Sequence, residues 1–114
     1  MRLIKSFGYA LNGLKIAVKE QVNLTIHICV TVIVVMAGIY IEITTTEWVL
    51  LVLTIGLVIS LELVNTAIEY LVDLVTPERN PLAGKVKDIA AASVLVSSVM
   101  AVIVGLFIFS KYIF

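Results

Sequence analysis

The chain has 114 residues, 61% of them hydrophobic and 14% charged, with a formal net charge of zero. That length holds one domain and no more. The composition excludes an ordinary soluble globular domain, which needs more polar surface than this, and the neutral charge gives no electrostatic case for a nucleic-acid partner.

The first element is MRLIKSFGYALNGLKIAVKEQ, residues 1–21. Leu3, Ile4, Phe7, Leu11, Leu14 and Ala17 or Val18 recur at helical spacing, with Arg2, Lys5, Lys15 and Lys19 between them. This pattern predicts an amphipathic helix on a membrane surface, its basic groups toward lipid phosphates. Gly8 and Gly13 weaken the helix and make a break there conceivable. The segment is too long for the basic region of a secretory signal, and no small-residue cleavage site closes the apolar run that follows.

Three apolar stretches come next. Helices over residues 24–41, 48–75 and 89–109 contain segments long enough to cross about 30 Å of hydrocarbon. VTVIVVMAGIYI and SVLVSSVMAVIVGLFIF show almost no polar face, as an amphipathic soluble bundle would. Cys29 is alone, so no internal disulfide is available and a small packing role is expected. His27, near the start of the first span, is expected to be a hydrogen-bonded structural residue rather than part of a metal cluster.

Loop charges set the orientation. The N-terminal segment carries Arg2, Lys5, Lys15 and Lys19, the connection EITTTE carries no basic residue, TPERNPLAGKVKD carries Arg79, Lys85 and Lys87, and Lys111 alone follows the last span. The N-terminus and the second connection are therefore expected in the cytoplasm, with Trp48 as an anchor at the opposite interface. Thr76-Pro77 is expected to end the second spanning helix.

The end of that helix reads LELVNTAIEYLVD. At about 100° per residue, Glu62, Asn65, Glu69 and Asp73 share an arc of roughly 80°. Ionisable groups in a span are costly and point to function by default. Counting from Trp48, Glu69 falls at the interface and Glu62 about 10 Å deeper. Carboxylates at the interface suit Mg²⁺, completed by phosphate and water. A desolvated carboxylate below them suits proton abstraction from a hydroxyl. Lys85, Lys87 and Asp88 follow on the same side, where lysine can neutralise phosphate. The layout suggests phosphorylation of a lipid alcohol. A structural stripe, or a proton-relay or transport path, would use the same residue types, but a transport path favours carboxylates at all depths. No Walker loop is present: GYALNGLK has Leu14 where lysine is required, Gly84-Lys85 lacks the earlier glycine, and no HRD partner accompanies a glycine-rich loop.

ELVNTAIEYLVD followed by PLAGKVKDIAAASVL resembles the signature of the bacterial integral-membrane diacylglycerol kinase and undecaprenol kinase family, and the likeness covers nearly the whole chain. It implies a single lipid-kinase domain over residues 1–114, an all-α membrane protein with a surface helix and three transmembrane helices. It further implies a homotrimeric bundle in the bacterial inner membrane with active sites shared between neighbouring subunits, and ATP with Mg²⁺ as phosphoryl donor. By position, Glu62 would be the general base and Glu69 a metal ligand. Asn65 would order phosphate and base, and Asp73 and Glu78 would contact the nucleotide. Lys87 would meet the transferring phosphate, with Asp88 holding that lysine or the loop. Arg2 and Tyr9 match nucleotide-contacting positions. His27, TEWVLLVLTIGLV and VDLVTPERNPLA look more like the undecaprenol branch.

One departure matters. The family usually places a metal-binding glutamate where KEQVN places Gln21, with Glu20 beside it, and Thr25 stands where arginine is common. An amide is a poorer magnesium ligand than a carboxylate. On a continuous helix Glu20 points about 100° away from Gln21, so it can substitute only if the helix end is unwound or rotated. On this reading, restoring a carboxylate by Gln21→Glu is expected to raise activity or magnesium affinity. A non-catalytic or transport-type small membrane subunit is the alternative reading of the chain.

Overall fold

The computed structural model describes residues 1–114 as four helices: α1 (Arg2–Glu20), α2 (Val22–Ile41), α3 (Thr45–Val75) and α4 (Pro81–Ile113). α2, α3 and α4 are each long and apolar enough to cross a membrane. Only 13 of the 114 residues are buried within the chain, so lipid or other chains must cover the remaining apolar surface.

α1 runs unbroken through Gly8 and Gly13. Leu3, Ile4, Phe7 and Leu11 stay exposed, and Ala17 alone is buried. The apolar stripe is therefore uncovered by the rest of the chain, as a helix lying on a lipid surface requires. The helix stops at Gln21, whose backbone is extended (φ −114°, ψ 108°). The Gln21 N–H still donates to the Ala17 carbonyl, and Thr25 Oγ1 donates to the Val18 carbonyl at 3.2 Å. Beneath this corner Leu24 is 1% exposed. Thr25 thus ties the two helices together where the chain bends.

The helices are longer than the apolar runs that announced them. α3 begins at Thr45, three residues before Trp48, because Thr44 and Glu47 form a reciprocal capping box. It ends at Val75, with Thr76 before Pro77, as expected from proline's effect on its predecessor. α4 begins at Pro81 instead of residue 89. Asn80 Oδ1 accepts from the Leu82 and Ala83 N–H groups, and Pro81 at the first position gives up no helical hydrogen bond. Lys85, Lys87 and Asp88 therefore stand on helix, not in a loop. α3 and α4 are about 46 and 50 Å long at 1.5 Å per residue, so both exceed the hydrocarbon thickness.

α3 and α4 form the principal packed pair, joined at one end by residues 76–80. The chain's small apolar core lies at the opposite end, where Ile43, Leu51 and Ile108 are buried and Trp48, Val104 and Phe109 pack against them. Gly38 lets Trp48 approach closely; a Cβ there would lie 2.8 Å from the indole ring. Glu47 fastens α3 to the end of α4. One oxygen accepts from the Tyr112 hydroxyl and the Thr44 N–H, and the other pairs with Lys111 at 2.7 Å. Cys29 is exposed on α2, rather than packed inside the chain.

Candidate active site

Glu62, Asn65, Glu69 and Asp73 occupy consecutive turns of the α3 end that leads to residues 76–80. Their burial is graded. Glu62 is 2% exposed and Asn65 7%, Glu69 is half-buried and Asp73 is exposed. Thr66, also buried, returns its hydroxyl to the Glu62 carbonyl at 3.0 Å. That bond satisfies the Thr66 hydroxyl within its own helix and does not engage the Glu62 carboxylate.

Around this face the structure makes three separate pairings. His27 Nε2, from α2, lies 3.5 Å from Glu62 Oε2. Asn65 Nδ2 donates to Glu69 Oε1 at 3.2 Å. Lys87 Nζ, from α4, donates to Asp73 Oδ1. The lysine is thus partnered across the helix pair by Asp73, while the adjacent Asp88 makes no ion pair within the chain. The early start of α4 explains this: Lys87 sits on its second turn, directed at α3.

Tyr70 adds a fourth junction. Its hydroxyl donates to Glu20 Oε1 at 2.7 Å and accepts from Gln21 Nε2 at 3.2 Å. Both residues at the end of α1 are therefore gathered at one phenol, immediately after Glu69 in the chain. The extended backbone at Gln21 removes the helical offset that would have turned Glu20 away.

Asp73, Glu78, Asn80, Gly84 and Lys87 line a mostly polar recess of about 310 Å³ between the ends of α3 and α4. It brings three of the expected nucleotide contacts together. Arg2 and Tyr9, exposed near the start of α1, are not part of it. On another side, an apolar cavity of about 370 Å³ lies among α2, α3 and α4, with His27, Thr31, Thr54 and Phe109 on its wall.

No three His, Cys, Asp or Glu side chains converge as a cage for a metal ion. Magnesium that accompanies phosphates needs less: it takes one or two carboxylates and completes its shell with phosphate oxygens and water. Glu69 has one oxygen engaged by Asn65 and one without a partner, and Asn65 Oδ1 is buried without one. This donor set fits a magnesium ion arriving with a nucleotide.

Sequence reasoning named the α3 stripe and Lys87 but missed Tyr70, and it gave His27 no link to Glu62. Tyr70 carried a weak signal as an aromatic at the interfacial end of a span, where one is usually read as an anchor. The approach of His27 depends on how α2 leans on α3, which spacing within one helix does not report.

Comparison with known proteins adds an independent line. Residues 8–109 match the family described as prokaryotic diacylglycerol kinase. An undecaprenol kinase of Bacillus subtilis is 41% identical over 95% of this chain and 88% of its own length. A diacylglycerol kinase of Synechocystis is 40% identical over 90% of this chain, which spans 59% of that protein. A diacylglycerol kinase of Haemophilus influenzae is 35% identical over 83% of this chain and 80% of its own length.

Proposed function

The chain belongs to the prokaryotic diacylglycerol kinase family, and on that premise we propose that it transfers the γ-phosphoryl group of ATP to the hydroxyl of a membrane lipid alcohol, with undecaprenol preferred over diacylglycerol. The observation that carries this reading is the burial gradient on α3, from Glu62 at 2% exposure to an exposed Asp73. A lipid hydroxyl approaches from the apolar side and a nucleotide from water. A face that is dry at one end and wet at the other suits their meeting.

Glu62 is the general base. It takes the proton of the lipid hydroxyl as that oxygen bonds to the γ-phosphorus; the bond from phosphorus to the β–γ bridging oxygen breaks, and ADP leaves. Lys87 exchanges Asp73 for the phosphoryl oxygens and offsets their charge, while Asp73 and Glu78 hold the nucleotide in the recess they line with Lys87. Asn65 fixes Glu69, and Glu69 with the Glu20–Gln21 corner would hold the metal. Magnesium, when bound with the nucleotide, supplies charge neutralisation at the phosphates. Asp88 would hold Lys87 once that lysine leaves Asp73, and Arg2 and Tyr9 would contact the nucleotide from α1.

The apolar cavity beside His27 suits the tail of the lipid, with its hydroxyl end toward Glu62. The two groups of polar residues, at Tyr70 and at Lys87, lie on different helix pairs. A homotrimer with sites shared between neighbouring chains accounts for how they would serve one substrate. The basic residues of α1 and of the region around residues 76–88 support an orientation with the ATP side in the cytoplasm of a bacterium and the protein in its inner membrane.

The deciding assay offers Mg-ATP with undecaprenol and diacylglycerol in parallel to the purified protein in mixed micelles. Phosphorylated undecaprenol is expected at the higher kcat/KM. Magnesium nucleotide bound but no phosphate transferred to either lipid would defeat the kinase reading.

A further inference from the structure

We infer that Tyr70 is a positioning residue that makes Glu20, rather than Gln21, the carboxylate offered by the surface helix to the magnesium nucleotide. This rests on the kinase reading above.

Hydrogen-bond direction carries it. A phenol has one proton to give and can also accept. Tyr70 gives its proton to Glu20 Oε1 at 2.7 Å, which leaves its oxygen free to accept from Gln21 Nε2 at 3.2 Å. The chain of donors runs from amide to phenol to carboxylate, so each group meets a complementary one. A carboxylate at position 21 has no proton to donate. It would compete with Glu20 for the single phenol proton and add a third negative group near Glu20 and Glu69.

Backbone geometry supplies the second part. Gln21 is extended, and the corner is fixed by its N–H bond to the Ala17 carbonyl and by Thr25 on Val18. The bend and the phenol together hold Glu20 against α3 at Tyr70, the residue that follows Glu69 in the chain. Glu20 has one oxygen on Tyr70 and no further hydrogen-bond or ion-pair partner in the chain. Glu20 and Glu69 then make the two carboxylates that a phosphate-bound magnesium ion uses. The neutral residue at 21 is matched to Tyr70, and the expected benefit of Gln21→Glu reverses sign.

The test measures Mn²⁺ affinity by electron paramagnetic resonance in the full-length protein in micelles, with a non-hydrolysable ATP analogue present. Binding of the analogue without metal is measured alongside. Glu20→Gln and Tyr70→Phe are each expected to weaken Mn²⁺ binding about tenfold and to raise the KM for Mg-ATP. Metal-free analogue binding and the KM for lipid should stay unchanged; a merely structural tether would weaken metal-free binding as well. Gln21→Glu alone should weaken Mn²⁺ binding, and should restore it in the Tyr70→Phe background, where no phenol proton is contested. Mn²⁺ affinity that is indifferent to Glu20→Gln but tightened by Gln21→Glu overturns the inference and leaves the kinase reading standing. Glu20 is exposed, so its variant remains informative even if Tyr70→Phe fails to fold. Wild-type protein that binds no metal–nucleotide and phosphorylates neither lipid overturns both.

Discussion

His27 Nε2 stands 3.5 Å from Glu62 Oε2, and it is the one polar side-chain neighbour that the Glu62 carboxylate has within the chain. A buried carboxylate without partners is costly, and the imidazole on α2 relieves part of that cost while leaving the second oxygen free. Glu62→Gln keeps size and burial but removes the base. It should lower kcat by about 10²–10⁴ with the KM for Mg-ATP little changed, measured by lipid phosphorylation with the oligomer checked by size exclusion. His27→Ala removes the contact and not the base, so a smaller loss of about tenfold in kcat is expected, as for a group that supports the base without carrying the proton. Near-normal turnover in Glu62→Gln would take Glu62 out of its role.

Lys87 is held by Asp73 across the α3–α4 junction, and its phosphate role requires it to change partners. Lys87→Met should lower kcat by about 10²–10³, the range for removing one donor aimed at developing charge. Asp73→Asn keeps the lysine but weakens its resting partner. It should change the KM for Mg-ATP more than kcat, since Asp73 lies in the nucleotide recess. Steady-state kinetics with ATP varied at fixed lipid separates the two. Equal losses in kcat for both variants would show that the pair acts as one structural unit.

The architecture was legible because a membrane demands long apolar helices, and the α3 stripe because four polar residues at helical spacing inside such a helix have few innocent explanations. The ends of elements were less legible. Asn80-Pro81 and Thr44-x-x-Glu47 are both start signals, but each precedes an apolar run by several polar residues, and hydropathy hides them. Pairings between helices were not legible at all. Lys87 with Asp73, His27 with Glu62 and Tyr70 with Glu20 all depend on helix packing and on one extended residue at Gln21. The change at Gln21 was visible as a missing charge; its partner Tyr70, 49 residues away, was not.

Thr44 caps α3 by accepting from the Glu47 N–H at 3.2 Å, far from the α3 stripe. Thr44→Ala should lower stability by about 1 kcal/mol, the usual cost of an N-cap, with the activity of the folded fraction intact. Glu47→Ala should cost more, because it also releases Lys111 and the Tyr112 hydroxyl from the end of α4. Thermal unfolding in detergent, followed by loss of soluble oligomer, gives the order of the two. A Glu47→Ala protein as stable as Thr44→Ala would mean that the contacts to α4 add nothing.

Gly38 is required by Trp48, and this can be tested without touching the site. A Cβ at 38 would meet Trp48 ring atoms at 2.8 and 3.1 Å and the Ile43 side chain at 3.2 Å. The first distance is too short for a real contact, and the indole is flanked by the packed Ile43–Leu51–Ile108 core, so it has little room to retreat. Gly38→Ala gains helix propensity of about 0.8–1 kcal/mol but overpacks the junction at a cost of about 1–3 kcal/mol. A net loss of stability is expected. Trp48→Leu removes the clashing ring, so in that background Gly38→Ala should become neutral or stabilising as the propensity term is left alone. Measuring all four proteins by the same detergent unfolding assay gives the coupling between the two positions directly. Additive effects, with Gly38→Ala equally harmful with and without the indole, would mean that the glycine serves another neighbour.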